Sequence, residues 1–243
     1  MKFTTSLALA FAGLAAAQTL TIPARKGSIV SLSSPSTISG SKDFGNAEYD
    51  RGRDCDTDAD TGSDNAVFIL ENGATLSNVI IGSRQLEGVH CKGACTLKNV
   101  WFRDVCEDAI SALGNGNVLI EGGGAQSATD KVVQHNGRGT VTIRGGTYVN
   151  IGKLYRGCGD CTGNGGPRKV VVENVKLNGV SSDVVGINVN YGDTATISGS
   201  CGVTKKVCQQ YIGVTKGNGE SQKDSGNGSC LGAQGKLSKL PTC

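Results

Sequence analysis

A repeat of about 20 residues is the feature that most limits what this chain can fold into. Residues 76–81 (LSNVII) recur as residues 97–102 (LKNVWF), 21 positions later, and residues 118–120 (VLI) recur as residues 141–143 (VTI), 23 positions later. A strand-forming sequence that returns at a nearly fixed interval is typical of a solenoid, in which each repeat stacks on the previous one. No segment shows a sustained helical period. We therefore predict an all-β, single-domain right-handed parallel β-helix.

Alternating Val, Ile and Thr place the predicted strands from residue 66 onwards. They cover residues 66–70, 75–81, 89–91, 96–102, 109–112, 117–121, 131–135, 140–144, 154–156, 169–175, 184–189 and 194–198. Residues 158–168 contain several Gly and two Cys and are predicted to form a loop. The period is lost after Cys201, so about 201–243 is predicted to be a disulfide-tied tail of the domain.

The N-terminus has the pattern of a secretory signal peptide. Lys2 precedes an apolar run at residues 7–14, and three alanines end at Ala17, before Gln18. We predict cleavage there, so that residues 1–17 are the signal and residues 18–243 the secreted, extracellular domain. An N-terminal helix of the fold is the alternative. No apolar run is long enough to span a bilayer.

The ten cysteines favour a disulfide framework, because their number is even and the chain is predicted to be secreted. They stand at positions 55, 91, 95, 106, 158, 161, 201, 208, 230 and 243. The connectivity stays open, and the close pairs Cys91/Cys95 and Cys158/Cys161 leave structural zinc as an alternative. Asn227 begins an Asn-Gly-Ser acceptor for N-glycosylation, whose occupancy also stays open.

The composition excludes several classes of protein. The net charge is only +3, which is too balanced to indicate binding to nucleic acid or to a membrane surface. The chain contains 37 Gly but only 4 Pro, which suits tight turns between short strands better than disorder or collagen.

The repeat also predicts where charged residues meet. Equivalent positions on stacked parallel strands lie roughly 4.8 Å apart. The 21-residue step carries Glu87 onto Asp108, with Glu107 beside it. Carboxylates this close repel each other unless a cation holds them, and calcium is the natural candidate because it prefers oxygen ligands in irregular geometry.

A row of cations follows the acids. A step of 22 residues carries Lys131 onto Lys153, and Arg156 lies three residues further along the chain. An acid cluster beside a cation cluster suits a polyanionic substrate that is held partly through a metal ion. The alternative is that these are solvated turn residues.

Other polar residues are interpreted mainly as structural. His90 and His135 are expected to be packed and hydrogen-bonded rather than catalytic. Asn78 and Asn99, one repeat apart, are expected to form a ladder at a turn. Either Trp101 or its neighbour points outward, which leaves a sugar-stacking platform as an alternative to a core role.

Several motifs together resemble one enzyme family. They are residues 87–91 (EGVHC), 99–102 (NVWF), 104–109 (DVCEDA), 130–137 (DKVVQHNG) and 152–158 (GKLYRGC). In this order they resemble the secreted, fungal-type pectate lyases of polysaccharide lyase family 3, over nearly the whole mature chain. The resemblance implies a compact parallel β-helix that acts as a monomer on pectin of the plant cell wall. It also implies calcium-dependent β-elimination of de-esterified pectin (polygalacturonate), which gives 4,5-unsaturated oligogalacturonates.

The resemblance also implies roles for individual residues. Three acids would hold Ca²⁺ and three cations would line the reaction centre: Glu87, Glu107 and Asp108, and Lys131, Lys153 and Arg156. The family often places an acid and a lysine in the stretches read here as residues 63–64 and 112–113. The lysine is missing in this chain, which removes one expected substrate contact.

Within this chemistry Lys131 is the predicted base. Its pKa is expected to be pushed down by Ca²⁺ and by the cations around it, so that it can accept a proton. Arg156 would bind a substrate carboxylate through a bidentate fork, and Lys153 would add positive charge. An exchange of the base role among the three stays open.

Three other kinds of protein are alternatives. A polygalacturonate hydrolase would use paired carboxyl groups and water. A non-catalytic pectin-binding protein would lose the cations, and a purely structural β-helix would lose the groove as well. The joint presence of Lys131, Lys153 and Arg156 favours the lyase.

Overall fold

The computed structural model describes residues 19–57 and 59–243, so the predicted signal peptide lies outside the described residues. Within that part of the chain there is no α-helix, and no helix is long and apolar enough to cross a membrane. Two single 3₁₀ turns, Ser63–Asn65 and Val189–Tyr191, interrupt the strands. The strands, in chain order, are β1 (Val30–Ser31), β2 (Ser36–Ile38), β3 (Ser41–Asp50), β4 (Ala66–Leu70), β5 (Ala74–Ile81), β6 (Glu87–Cys91), β7 (Cys95–Phe102), β8 (Asp108–Ala112), β9 (Val118–Glu121), β10 (Gly124–Gln126), β11 (Lys131–His135), β12 (Gly139–Arg144), β13 (Thr147–Ile151), β14 (Lys153–Gly157), β15 (Arg168–Glu173), β16 (Lys176–Asn188), β17 (Thr194–Ser198), β18 (Cys201–Ile212), β19 (Gln222–Asp224) and β20 (Cys230–Leu231).

All of the described strands except β19 stack in parallel into three faces, whereas β19 pairs antiparallel with the end of β18. Face A contains β2, β4, β6, β8, β11, β14 and the second halves of β16 and β18. Face B contains the first halves of β3, β5 and β7, then β9, β12, β15, β17 and β20. Face C contains β1, the second halves of β3, β5 and β7, then β10, β13 and the first halves of β16 and β18. The predicted parallel β-helix is therefore confirmed.

The core is a set of apolar columns along the helix axis. On Face B one column consists of buried residues in register: Leu76, Leu97, Ile120, Ile143, Val172 and Ile197. This register reproduces the 21- and 23-residue steps seen in the sequence. Burying each such side chain contributes about 1.5–3 kcal/mol, so the columns stabilise the stack along its whole length.

The turn between Faces B and C requires a left-handed backbone. Asn78 and Asn99 have φ angles of 49° and 52°, and the side-chain amide of Asn99 donates to that of Asn78 at 3.1 Å. This confirms the predicted asparagine ladder. Gly122 occupies the equivalent position in the next turn of the β-helix. If this residue had a Cβ atom, that atom would lie 2.5 Å from Asn99 Oδ1. Asparagine and glycine are the residues that tolerate this conformation.

The predicted tail begins later than expected. β18 (Cys201–Ile212) pairs in parallel with β16 and adds one more strand to both Face C and Face A. Its pattern is hidden in the sequence because Lys205, Lys206 and Gln209 interrupt the apolar residues. The irregular tail starts at Gly213. Strands β1 to β3, before residue 66, were also not predicted.

All ten cysteines form disulfides, so the zinc alternative at Cys91/Cys95 and Cys158/Cys161 is wrong. The pairs are Cys55–Cys106, Cys91–Cys95, Cys158–Cys161, Cys201–Cys243 and Cys208–Cys230. The last two tie the irregular tail to β18.

His135 is packed inside the β-helix rather than exposed. It is fully buried, and its Nδ1 lies 2.9 Å from the hydroxyl oxygen of Tyr155. Burial, followed by the charges of Arg168 and Arg138, lowers the pKa of His135 to about 3. The ring is therefore neutral in the folded protein, in agreement with the predicted structural role.

This burial predicts an acid-sensitive stability. The folded pKa of His135 lies below the value of about 6.5 in an unfolded chain, so the unfolded state binds more protons between these values. Stability is thus lost as pH falls from about 6.5 towards about 3. We expect His135→Gln to lose about 2 kcal/mol less unfolding free energy than the wild type between pH 7 and pH 4.5. Urea unfolding at both pH values measures this, and equal losses in both proteins would contradict it.

Candidate active site

The predicted charged residues form one row on Face A. Each occupies the first position of its strand, and successive members are in register: Glu87, Asp108, Lys131 and Lys153. The structure therefore brings together the two acids and two lysines that the repeat spacing had placed on one side. Glu107 stands beside the row, immediately before Asp108.

A second row runs parallel to the first, three residues further along each strand. Its members are His90, Ser111, Gln134, Arg156 and Gly186. A cavity of about 630 Å³ lies along the acidic end of the two rows, and one of about 310 Å³ lies at the cationic end. Both are lined by Gln134 and Asp160, so the two cavities adjoin, and together they are called the groove.

Lys131 lies among carboxylates. Its Nζ is 2.6 Å from Asp130 Oδ2, 3.4 Å from Asp108 Oδ1 and 3.9 Å from Glu107 Oε1. The other oxygen of Asp130 is 2.6 Å from Lys153 Nζ. Asp130 therefore bridges the two lysines, a role that sequence reasoning missed although it is the residue directly before Lys131.

The charge state of Lys131 differs from the expectation. Burial lowers its pKa, but the carboxylates of Asp108, Asp130 and Glu107 outweigh burial and raise the pKa above its usual value. The sequence argument had counted the surrounding cations and not these acids. In this arrangement Lys131 is protonated.

Glu107 and Asp108 are adjacent acids, and the ionised form of each is unfavourable in this structure. Burial raises the pKa of both carboxyl groups; the charge of Asp108 raises that of Glu107 further, whereas Lys131 partly offsets the effect of burial on Asp108. Asp108 is only 2% exposed, and its Oδ1 accepts no hydrogen bond from the described residues. A buried carboxylate oxygen without a hydrogen bond, with a second acid directly beside it, suits an oxygen-seeking cation.

Glu87 is held differently. Its Oε1 accepts hydrogen bonds from the backbone and the hydroxyl of Thr61, and its Oε2 lies 3.1 Å from His90 Nε2. Burial pushes the pKa of Glu87 up, but the hydrogen bonds from His90 and Thr61 outweigh it, so the pKa lies below its usual value. His90 is satisfied on its other side by Ser63 Oγ at 3.0 Å, in line with its predicted packed role.

The three acids do not form a closed ligand cluster. Among the described residues, no group of three or more His, Cys, Asp or Glu side chains is arranged to hold a metal ion. Glu107 and Asp108 are adjacent, whereas the oxygens of Glu87 are turned to Thr61 and His90. A cation at this place would therefore take its remaining ligands from water or from a bound molecule.

Arg156 is buried at the cationic end of the groove. Its Nη1 donates to Gly157 O at 2.6 Å and to Asn188 Oδ1 at 2.9 Å, and its Nη2 donates to Ser221 Oγ at 2.9 Å. Burial lowers its pKa, and nearby acidic groups only partly offset this. In the described part of the chain it makes no ion pair with a carboxylate. Its charge is therefore available to an anion in the groove.

The irregular tail forms one wall of the groove. Val214 N donates to Gly159 O at 2.8 Å and Lys216 N donates to Cys161 O at 3.1 Å, which joins the tail to the loop between β14 and β15. Lys216 lines the larger cavity. Sequence reasoning missed this residue, because it lies in a segment without a repeat.

Leu113 and Trp101 line different cavities. Leu113 lines the larger cavity at the place where the resemblance implied a lysine. Trp101 points outward on Face C, where it lines a separate groove of about 450 Å³ with Leu20 and Val149. Its possible role as a sugar platform stays a prediction.

The fold and the groove define a class: a parallel β-helix with a row of acids and cations along one face, suited to a polyanionic chain. A family model described as pectate lyase matches residues 19–218. The chain is 52% identical over 209 residues to a probable pectate lyase E of Neosartorya fischeri, covering 85% of this chain and 81% of that protein. It is 49% identical to pectate lyase E of Emericella nidulans, covering 84% and 80%.

Solved structures agree. The catalytic domain of a pectate lyase from Erwinia chrysanthemi superposes with a TM-score of 0.70 at 36% identity, covering 78% of this chain and 89% of that chain. The same enzyme in complex with tetragalacturonic acid gives a TM-score of 0.68 at 35% identity, covering 82% and 67%. The chain therefore belongs to the pectate lyase family and is a polysaccharide lyase.

Proposed function

We propose that this protein is a secreted, calcium-dependent pectate lyase that cleaves polygalacturonate by β-elimination. The observation that carries the proposal is the row on Face A, in which Glu87 and Asp108 lead directly to Lys131 and Lys153, with Arg156 beside them. The complex of a solved relative with tetragalacturonic acid supports the substrate class.

The reaction explains why cations are needed. β-Elimination removes the proton at C5 of a galacturonate, next to its carboxylate, and expels the glycosidic oxygen at C4. Loss of this weakly acidic proton places a second negative charge on the carboxyl group. Cations that already stand at that position stabilise the charge as it develops.

Each cation has a proposed role. Lys131 takes the C5 proton as general base. Arg156 binds the substrate carboxylate: three of its five N–H donors are used by Gly157, Asn188 and Ser221, which leaves the Nε donor and one Nη2 donor for the substrate. Lys153 adds positive charge near the leaving group.

Calcium fits the donors present. Glu107 and Asp108 would hold it, with Glu87 as a further oxygen ligand once its carboxylate turns away from Thr61 and His90, and when bound it would supply positive charge that polarises the substrate carboxylate. Glu107 and Asp108, once their charge is offset, would no longer raise the pKa of Lys131. Asp130 would remain beside Lys131, so the loaded enzyme would still need an alkaline pH to hold Lys131 in its neutral, basic form.

Secretion and domain organisation belong to the same proposal. Residues 1–17 would be removed as the signal, and residues 18–243 would form one monomeric domain. The five disulfides support an oxidising, extracellular location.

The reaction type is tested directly. We expect polygalacturonate to yield an unsaturated product that absorbs in the near ultraviolet, with activity lost on chelation and restored by Ca²⁺. Reducing ends are measured in parallel, because a hydrolase produces them without the absorbance. New reducing ends without ultraviolet absorbance would make the enzyme a hydrolase.

A further inference from the structure

The guanidinium of Arg156 rests on an aromatic ring. Its Cζ lies 3.9 Å from the ring centroid of Tyr211, which is contributed by β18 and is 7% exposed. A guanidinium over a tyrosine face is attracted by the ring, most strongly where water is excluded. A contact this close also limits rotation of the guanidinium about the end of its side chain.

The ring is in turn held by a buried acid. The hydroxyl of Tyr211 donates to Asp183 Oδ1 at 3.2 Å, and Ser182 Oγ donates to the same oxygen at 2.7 Å. Asp183 is 2% exposed, and its Oδ2 has no hydrogen-bond partner among the described residues. A buried carboxylate without a full set of partners is costly and calls for an explanation.

Gly186 shows that the three side chains converge. A Cβ at this position would lie 2.7 Å from Arg156 Cδ, 3.0 Å from Asp183 Oδ2 and 3.0 Å from Tyr211 Cε2. Gly186 is in register with Arg156 on the preceding strand. The absence of a side chain here lets Arg156, Asp183 and Tyr211 approach one another.

We propose that Asp183 and Tyr211 are positioning residues that hold the guanidinium of Arg156 in the orientation that binds the substrate carboxylate. The inference rests on the proposed role of Arg156. An arginine side chain that is free in solution loses rotamer entropy when it is immobilised. A ring on one side and hydrogen bonds at its tip remove this freedom before substrate arrives.

The arrangement explains features that the reaction itself does not require. The buried charge of Asp183 lies near a buried cation that lacks an ion-pair partner in the described chain. Asp183 reaches Arg156 through Tyr211 and leaves the remaining N–H donors of the guanidinium unoccupied. A direct salt bridge would instead use the donors that the substrate needs.

The first test compares steady-state kinetics on polygalacturonate with calcium saturating. We expect Tyr211→Leu, which removes the ring, to lower kcat/KM by about 10²-fold, the scale of a misplaced catalytic group. Tyr211→Phe keeps the ring but loses its hydrogen bond to Asp183, so it should recover only part of that loss. Asp183→Asn and Gly186→Ala should each lower kcat/KM. Tyr148→Phe, at another buried tyrosine on Face C, is the control and should leave it unchanged.

The decisive test is a double-mutant cycle. In an Arg156→Ala background, Tyr211→Leu should have almost no further effect on kcat/KM, because the group that it positions is gone. Equal effects in both backgrounds, or a Tyr211→Leu enzyme as active as the control, would overturn the inference. Unfolding free energies are measured beside the kinetics, since a purely structural role would change only these. A wild-type enzyme that forms no unsaturated product would instead refute the proposed function.

Discussion

Lys131→Ala is expected to abolish turnover of polygalacturonate while substrate binding survives. Loss of a general base alone typically costs 10²–10⁴-fold in rate, and no other base stands at this position of the row. Binding should persist because Arg156 and the acid cluster are unchanged. Lys131→Arg should recover little, since a guanidinium is far harder to deprotonate than an ammonium group.

The pH profile checks the same assignment. Only the neutral form of Lys131 accepts a proton, and Asp130 still raises its pKa when calcium offsets Glu107 and Asp108, so activity should rise with pH and be highest under alkaline conditions. The measurement is kcat against pH with calcium saturating. Lys169→Ala, at an exposed lysine of Face B, is the matched control and should retain the wild-type profile.

One outcome would move the base to another residue. If Lys131→Ala kept near-normal turnover while Lys153→Ala or Arg156→Lys was inactive, the base would lie on a later turn of the β-helix. Arg156→Ala should instead weaken binding and rate together, because its role is to hold the carboxylate.

Asp108→Ala is expected to raise the calcium concentration needed for activity by at least about 10-fold. Loss of a supporting residue near a metal typically costs 10–100-fold in affinity, and loss of a ligand should cost no less. Activity should return at high calcium, since water can occupy the vacant ligand position. Calcium titration of the rate measures this, with Glu71→Ala, at an exposed acid away from the groove, as the control. An unchanged calcium dependence in Asp108→Ala would exclude Asp108 as a ligand.

The same substitution should stabilise the calcium-free protein at neutral pH. Burial raises the folded pKa of both Asp108 and Glu107 above their unfolded values. For such groups stability is highest below the unfolded pKa and is lost as pH rises through the folded pKa. In chelator, the wild type should therefore lose more unfolding free energy between pH 4 and pH 8 than Asp108→Ala. Calcium should reverse this difference, because the wild type alone keeps both ligands.

The row on Face A was predictable because repeat steps of 21, 23 and 22 residues connect Glu87, Asp108, Lys131 and Lys153. In a parallel β-helix each complete turn returns the chain to the same face, so sequence spacing becomes spatial register. The buried columns, the asparagine corner and most strands from residue 66 onwards follow from the same regularity.

The sequence by itself thus determined the fold class and the order of charges along one face. Only the tertiary structure decided which residues surround them. Arg156 meets Ser221 across 65 positions in the irregular tail, and it meets Tyr211 on β18, where polar residues hide the repeat in the sequence. The disulfide pairs, the bridge made by Asp130 and the raised pKa of Lys131 have the same origin. Charge state and orientation depend on the full set of neighbours in space, and loops and side-chain directions that have no period supply many of those neighbours.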